Sequence, residues 1–351
     1  MKDTAFGKTG LTLSKLGYGC MRFPYADGKL DKREAVRLMN AAFDNGVNYF
    51  DTAPFYCDYE SEVAVGEFIR DKRDKIILST KNMGRTPAEF TKSFDDSFRR
   101  LKADYVDVFH AWSMSLADFR RVSANGTLDL LFKAKKEGKI RHAAFSFHDG
   151  ECSNVKEVID SGLFESMLLS FNMLKRANLP WLEYAHSKGL GTVVMNPVAG
   201  GVLSSRAALA LKYVWSHPYI DVALSGMGSE AQVLENCRTA SDGFEFTSEE
   251  KNRLNETVKE HVAVLDLYCT ACGYCKGCSE SIAVTEIFTM YNDAVLSGEW
   301  ESARKKYAVL NKDASDCVKC GECLKKCPQK LDIVELLKKV HNILIPNCWY
   351  I

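Results

Sequence analysis

The cysteines near the C-terminal end of the chain have the spacing of iron–sulfur ligands. The first group is CTACGYCKGC, with Cys269, Cys272, Cys275 and Cys278, and the second is CVKCGECLKKCP, with Cys317, Cys320, Cys323 and Cys327. In each group three thiolates recur at every third residue, so one short loop can bind one face of a cubane. Zinc is the alternative, but zinc ribbons use two cysteines per knuckle. The spacing therefore predicts two 4Fe–4S clusters.

The fourth cysteine of each group is expected to bind the cluster of the other group, as in bacterial ferredoxins with two clusters. One cluster is then held by Cys269, Cys272, Cys275 and Cys327, and the other by Cys317, Cys320, Cys323 and Cys278. The first group departs from the usual run, because its last gap is short and Ser279 stands where a proline is expected. This departure concerns how Cys278 is presented more than whether it binds.

A second set of reactive side chains lies in the N-terminal part of the chain. Asp51 and Lys81 end the second and third predicted strands, His110 lies near the end of the fourth, and Tyr56 follows Asp51. Neighbouring parallel strands lie about 4.8 Å apart, so these side chains can converge on one point. A phenol has an ordinary pKa of about 10, so it donates protons poorly near neutrality. A nearby ammonium favours the phenolate and lowers that pKa. The set predicts a proton donor that accompanies hydride transfer to a carbonyl.

The elements that position these side chains alternate between apolar runs and amphipathic helices. The predicted strands cover residues 14–19, 47–53, 75–81, 105–112, 140–147, 166–172, 191–197 and 221–227. Such β–α units predict an α/β fold of the (β/α)8 TIM-barrel type. An open doubly wound sheet would need a G-x-G-x-x-G turn after the first strand, and GYGCMRFP does not match it.

The chain is long enough for a barrel and a second, smaller domain. We predict the barrel in residues 1–245, and a linker helix with a small all-α, ferredoxin-like two-cluster domain in residues 246–351. Thr247 and Glu250 have capping-box spacing, which predicts a helix over 247–265. Apolar residues between the cysteine groups recur with helical spacing. They are Val284, Ile287, Phe288, Tyr291 and Val295.

Composition argues against several classes of partner. Lys+Arg and Asp+Glu number 46 each, so no overall charge favours nucleic acid or an anionic membrane. The N-terminus has no apolar signal core and no stretch approaches about 20 apolar residues, which predicts a cytoplasmic protein without membrane contact.

The scattered cysteines are expected to be small buried hydrophobes, and a redox role for Cys57 beside Tyr56 is not favoured. They are Cys20, Cys57, Cys152, Cys237 and Cys348.

Several segments resemble the aldo-keto reductase family over residues 1–245. They are FGKTGLTLSKLGYGCMRF, YFDTAPFY, ILSTK and DVFH, and with the cysteine tail the chain is similar to the ferredoxin-fused branch of that family. The resemblance implies a (β/α)8 barrel that binds NAD(P)H without a Rossmann fold and reduces a small carbonyl substrate or oxidises an alcohol. It also implies that Asp51, Tyr56, Lys81 and His110 form the catalytic tetrad.

The resemblance further places cofactor-binding residues at strand ends and in two loops, NPVAGG and SGMGSEAQVLEN. They are Gly19, Met21, Ser146, Met195, Pro197, Val198, Gly200, Ser225, Gly226, Met227, Gln232 and Asn236.

Four positions depart from the family pattern. Phe147 replaces the asparagine beside Ser146, and Leu168 stands where a glutamine is expected. Met195 replaces a tyrosine that stacks on the nicotinamide, and Gln232 replaces the arginine that reads the 2′-phosphate. Two lost hydrogen bonds are worth about 1–3 kcal/mol, so weak nicotinamide binding is expected. NADP preference is not assured, and a flavin stays open as cofactor.

Three functions remain open at this stage. The first is an NAD(P)H-dependent reductase whose clusters exchange electrons with a carrier such as ferredoxin or flavodoxin. The second is a nicotinamide-independent reductase fed by a flavin or by ferredoxin, and the third is a redox sensor with a structural iron–sulfur module. The complete tetrad argues against the third.

Two further surfaces have a functional and an ordinary interpretation. Lys319, Lys325, Lys326 and Lys330 surround the second cysteine group as a docking patch or as a solvated basic face. Trp112 and His148 line a substrate pocket or are ordinary wall and loop residues.

Overall fold

The computed structural model describes residues 1–261 and 267–345, and it divides into two compact units. The first unit comprises Met1–Pro197 and Ala207–Glu245. The second comprises Val198–Arg206 and the chain from Phe246 onward. The short segment Val198–Arg206 therefore groups with the cysteine-bearing unit, although the sequence places it within the predicted barrel.

The first unit is a closed barrel of parallel strands, which confirms the predicted TIM-barrel fold. The strands are β1 Leu16–Gly19, β2 Tyr49–Asp51, β3 Ile77–Asn82, β4 Val106–Met114, β5 Ile140–Phe147, β6 Ser166–Ser170, β7 Gly191–Met195 and β8 Val222–Ser225. They pair in this order and close through β8 and β1. The runs are almost continuously apolar because strands of a parallel barrel are covered on both faces.

Helices surround these strands. They are α1 Lys32–Asp44, α2 Ser61–Ile69, α3 Pro87–Leu101, α4 Leu116–Ala124, α5 Thr127–Lys136, α6 Val155–Asp160, α7 Leu179–Lys188, α8 Ala207–Trp215 and α9 Glu230–Ser241. Local sequence sets their starts. At α3 the Thr86 side chain accepts from the Glu89 N–H, and Pro87 occupies the first turn, where its missing N–H is not needed.

A short hairpin, Asp3–Ala5 with Thr12–Ser14, closes one end of the barrel. Phe6 and Leu13 are fully buried in the core cluster of the barrel interior. At the start of β7, a Cβ on Gly191 would lie 2.4 Å from the Phe6 ring, so only glycine fits. This packing fills the N-terminal end of the barrel and leaves the C-terminal strand ends for chemistry.

The described part of the second unit is helical apart from its loops. Its helices are α10 Ser248–His261, α11 Val284–Ser297, α12 Trp300–Ala308, α13 Glu322–Lys326 and α14 Ile333–Leu344. Thr247 and Glu250 cap α10 reciprocally as predicted, while residues 262–265 of that predicted helix lie outside the described residues. Within residues 1–261 and 267–345, no helix has the length and apolar character needed to cross a bilayer.

Candidate functional site

Asp51 and Lys81 form a buried ion pair at the C-terminal ends of β2 and β3. Only 2% of Asp51 and 1% of Lys81 is exposed. Lys81 Nζ donates to Asp51 Oδ2 and, at 2.8 Å, to the Thr52 carbonyl. Ser79 Oγ donates to the other oxygen of Asp51 at 2.7 Å. Because both carboxylate oxygens accept hydrogen bonds, Asp51 holds the ammonium in one place. Lys81 uses two of its three N–H donors in these contacts.

The aromatic ring of Tyr56 lies beside this ammonium. Lys81 Nζ is 5.2 Å from the Tyr56 ring centroid. Trp112 meets the same ring edge-on, with centroids 5.9 Å apart, and Phe55 lies 5.7 Å from Trp112. Trp112 is therefore part of the wall around Tyr56. The backbone N–H of His148 donates to the Met114 carbonyl at 2.8 Å.

His110 is fully buried and lies opposite Lys81 in the β3–β4 register. Neither of its ring nitrogens has a hydrogen-bond partner among the described residues, although the Phe145 backbone lies nearby. Burial, and then the positive charge of Lys81, lower the pKa of His110 to about 4. The imidazole is therefore neutral near pH 7, with one N–H that it can donate to a ligand.

We expect His110 to stay neutral from pH 5.5 upward, because its pKa of about 4 lies below that range. Two-dimensional NMR of protein with ¹⁵N-labelled histidine, with the signal assigned through His110→Asn, measures this directly. A midpoint near the ordinary value of about 6.5 would contradict the buried, desolvated environment. By linkage, the neutral form adds stability above the unfolded pKa of about 6.5, and this part is lost as the pH falls toward 4.

The residues expected to hold a nicotinamide amide offer little hydrogen bonding. Ser146 is buried and its hydroxyl oxygen accepts from the Ser113 N–H at 2.8 Å. Phe147 is 5% exposed, and Leu168 lies opposite Ser146 in the β5–β6 register within the apolar core. Met195 is partly buried against the same core. Of these four residues, only Ser146 has a hydroxyl that could hydrogen-bond to an amide.

The loop after β8 fits the nucleotide half of a dinucleotide better. Asn236 Nδ2 donates to Ser225 Oγ at 3.1 Å, while Asn236 Oδ1 is buried without a partner among the described residues. An orphan acceptor of this kind suits an N–H donor on a ligand. Gln232 Oε1 accepts from the Gly228 N–H at 2.8 Å, and the Met227 carbonyl accepts from the Tyr18 hydroxyl at 2.5 Å.

The remaining predicted cofactor residues divide between the two units. Gly19 ends β1 opposite Asp51, and the Met21 carbonyl accepts from the Cys57 thiol at 3.5 Å. Pro197 is the last residue of the barrel unit before the segment Val198–Arg206, which contains Val198 and Gly200.

Two residues near the site were not predicted. Ser79 anchors Asp51, and Arg22 lies over the loop after β8, where a Cβ on Gly226 would be 3.1 Å from Arg22 Cβ. Arg22 follows Met21 directly, so a cation in the CMRF stretch is the signal that could have identified it.

The scattered cysteines behave as small hydrophobes where they are described. Cys20, Cys57 and Cys237 are buried and Cys152 is partly exposed, while Cys348 lies outside the described residues.

In the second unit, four cysteines surround one cavity. Cys269, Cys272, Cys275 and Cys327 line it together with Phe288. The Ala271 N–H donates to Cys269 Sγ at 3.4 Å, and Cys275 Sγ lies 3.5 Å from the Thr285 hydroxyl. Cys327 comes from the second group of the sequence and meets three members of the first.

The electrostatics of this cavity suit a metal cluster. Burial raises the pKa of Cys269 to about 12, and the neighbouring Cys272, Cys275 and Cys327 add to this. Buried thiolates so close together require a cationic partner, which iron supplies. Among the described residues no three donors lie close enough to share one ion. In a 4Fe–4S cluster each thiolate binds a different iron, so its four cysteines need not meet at one ion as the ligands of zinc must.

The second cysteine loop is more open. Burial, and then the nearby Cys317, Cys275 and Cys320, raise the pKa of Cys323. Cys320 is exposed, and Val318 is 61% exposed. Cys278 packs against the helical core of this unit, and its bond to the second cluster stays a prediction.

Comparisons with known proteins match both parts of the chain. Residues 15–208 match the model of the Aldo/keto reductase family, and residues 268–332 match that of a 4Fe-4S dicluster domain. L-galactose dehydrogenase of Arabidopsis thaliana is 28% identical over 305 residues, which covers 75% of this chain and 93% of that protein. NADH-specific methylglyoxal reductase of Escherichia coli is 26% identical over 229 residues, covering 58% and 69%. The holo form of an aldo-keto reductase from Bacillus halodurans has a TM-score of 0.63 at 26% identity, covering 73% and 96%.

Proposed function

Because this chain belongs to the aldo/keto reductase family and carries a 4Fe-4S domain, we propose that it reduces a small carbonyl compound, or oxidises the alcohol, with Tyr56 as proton donor. The observation that carries this proposal is the buried Lys81–Asp51 pair beside the Tyr56 ring. A buried ammonium next to a phenol favours loss of the phenolic proton, which a carbonyl needs as it becomes an alcohol.

The residues divide the work between them. Bound NAD(P)H supplies the hydride. Neutral His110 donates an N–H to the substrate oxygen and so orients it, and Tyr56 donates its proton to the same oxygen. Lys81 stabilises the phenolate that remains, and Asp51 keeps Lys81 in place. In alcohol oxidation the same groups act in reverse.

The names of two relatives support nicotinamide chemistry and small substrates of this kind. One relative is a dehydrogenase of L-galactose and the other an NADH-specific reductase of methylglyoxal. The orphan oxygen of Asn236 supports a nucleotide site. Phe147 and Leu168 favour a second candidate, a reductase fed by its clusters or by a flavin, because neither side chain can hold a nicotinamide amide.

Anaerobic kinetics with the cluster-loaded protein distinguish these candidates. We expect oxidation of NADPH or NADH that depends on a small carbonyl, with deuterium transferred from the deuterated cofactor to the product carbon. Reduction of the carbonyl by a chemically reduced carrier, with no nicotinamide present, would support the second candidate instead. Absence of both reactions across a panel of aldehydes, ketones and sugar lactols would contradict the proposal.

We further propose that two 4Fe–4S clusters relay single electrons between the barrel reaction and an external carrier such as ferredoxin or flavodoxin. The open second loop supports this, since Val318 is exposed and the same stretch of sequence carries cationic side chains suited to an acidic protein. They are Lys319, Lys325, Lys326 and Lys330. Lys325 is engaged with Glu322 at 2.6 Å, so Lys319 and Lys326 are the better probes. The alternative is that the clusters only stabilise a small helical unit.

We expect Lys319→Glu with Lys326→Glu to slow cluster reduction by an acidic ferredoxin about tenfold at low salt, because long-range attraction sets the encounter rate. The measurement is anaerobic stopped flow at several ionic strengths, and the effect should shrink as salt rises. Lys92→Glu, an exposed lysine on α3, is the matched control and should leave the rate unchanged. Equal slowing by both charge reversals would rule out a specific docking patch.

A cytoplasmic location and a domain boundary after residue 245 also remain proposals. The boundary rests on the change to cysteine-rich sequence.

A further inference from the structure

The segment Val198–Arg206 is connected both with the expected dinucleotide site and with the cysteine-bearing unit. Along the chain it follows β7 and contains Val198 and Gly200, which the family resemblance assigns to the dinucleotide. In space it groups with the cysteine-bearing unit. Ala199 and Leu203 of this segment are fully buried, whereas Gly201 and residues 204–206 are exposed.

Gly200 brings this segment against the first cysteine loop. Its φ is +70°, and an added Cβ would lie 2.5 Å from Thr270 Cα and 2.7 Å from the Thr270 carbonyl oxygen. The neighbouring Gly201 also has a positive φ, +109°, but meets nothing within 4 Å. Gly200 is therefore needed for a close approach of two backbones, whereas Gly201 is needed only for its conformation.

Thr270 in turn supports a ligand of the first cluster. It is 2% exposed and lies next to Cys269, and its side chain hydrogen-bonds to Cys272. Both cysteines line the cavity that Cys275 and Cys327 complete. A movement of Gly200 thus reaches a cluster ligand through a single intervening residue.

Hydrogen bonds to the ligand sulfurs, local charge and solvent exposure set the reduction potential of an iron–sulfur cluster. A dinucleotide bound at Val198 and Gly200 would change the local charge and the solvent exposure of the cluster. It would also hold the segment against Thr270. Any such coupling must act equally in both directions, because linkage between two binding equilibria is reciprocal.

We propose that Val198–Arg206 couples the two cofactor sites, so that dinucleotide binding shifts the reduction potential of the first cluster and cluster reduction shifts dinucleotide affinity. Gly200 and Thr270 are the positioning residues of this coupling. The inference rests on the proposed function, since it requires a nucleotide at this segment. It explains why a nucleotide loop should fold with an iron–sulfur unit at all.

The test uses the full-length, cluster-loaded protein and ADP-ribose, a probe that carries the nucleotide half without a reducible ring. Redox titration followed by EPR gives the first-cluster potential with and without saturating ADP-ribose. We expect a shift equivalent to at least a fivefold change in affinity between cluster states, where a tenfold change corresponds to about 59 mV for one electron. Calorimetry should show the same factor between oxidised and reduced protein.

Matched variants locate the coupling. Gly200→Ala should abolish the ADP-ribose-dependent shift, whereas Gly201→Ala should retain it. Thr270→Val keeps the shape of the side chain but removes its hydroxyl, so it should change the potential without ligand and reduce the shift. Thr270→Ser should restore both. The threonine pair serves as the readout if Gly200→Ala fails to fold.

Each result decides a distinct point. ADP-ribose that binds without moving the potential would overturn the coupling and leave the proposed function intact. ADP-ribose that fails to bind would overturn both the coupling and the nucleotide site. A shift that survives Gly200→Ala and Thr270→Val unchanged would show that this contact does not carry it.

Discussion

Replacement of Tyr56 by phenylalanine is expected to lower carbonyl turnover by about 100-fold or more, because the substrate oxygen loses its proton donor. The ring would keep its edge-on contact with Trp112 and its place beside Lys81. Dinucleotide affinity should therefore stay close to that of the unchanged protein. Steady-state kinetics under anaerobic conditions measure kcat and KM, and fluorescence titration measures cofactor binding.

Tyr105→Phe is the matched control for this substitution. Tyr105 lies between the guanidinium groups of Arg73 and Arg141, 3.8 and 4.0 Å from its ring centroid, so its hydroxyl is not required for the packing. We expect normal turnover in this variant. Full turnover in Tyr56→Phe as well would remove Tyr56 from the mechanism, and His110 would then be the group to test.

Substitution of Cys327 by alanine should remove the first cluster and leave the second. Cys327 is 8% exposed and completes the cavity of Cys269, Cys272 and Cys275. One iron of the cubane would then lack its thiolate ligand, while the three cysteines of the first loop still bind the other three irons. Iron content should fall from about eight to about four atoms per chain, with one of two EPR signals lost.

Cys320→Ala and Cys152→Ala provide the comparison. Cys320 lies in the open second loop, so its loss should remove the other EPR signal. Cys152 belongs to the barrel and is not expected to bind iron, so its variant should keep full iron content. If Cys327→Ala and Cys320→Ala abolish the same signal, each cysteine group binds its own cluster and the crossed arrangement is wrong.

The barrel was predictable because its strands are encoded locally. Each parallel strand is a continuous apolar run, and the sequence shows this without knowledge of its partners. Strand ends were less predictable. The run ending at Trp112 continues as β4 to Met114, through a bulge where Ser113 has a φ of +51° and donates to Ser146. That hydrogen bond joins residues far apart in sequence, which no local pattern reports.

In the candidate site, too, local spacing predicts some residues, and others depend on contacts that only the folded chain makes. Side chains at strand ends converge because the barrel forces them to, so Asp51, Lys81 and His110 could be proposed from spacing. The support from Ser79 depends on a rotamer, and the position of Arg22 depends on how a loop folds back. The grouping of Val198–Arg206 with the cysteine-bearing unit was not predictable, because it depends on a contact with Thr270, distant in sequence.

The openness of the second cysteine loop has a consequence for the lifetime of the protein in air. Val318 and Cys320 are exposed, whereas Thr270 and Cys327 beside the first cavity are buried. A surface open to the proposed electron carrier would also be open to dioxygen and peroxide, which would reach an exposed cluster first. Aerobic handling should therefore yield half-loaded molecules that keep the first cluster and an intact barrel but have lost the cluster nearest the proposed carrier.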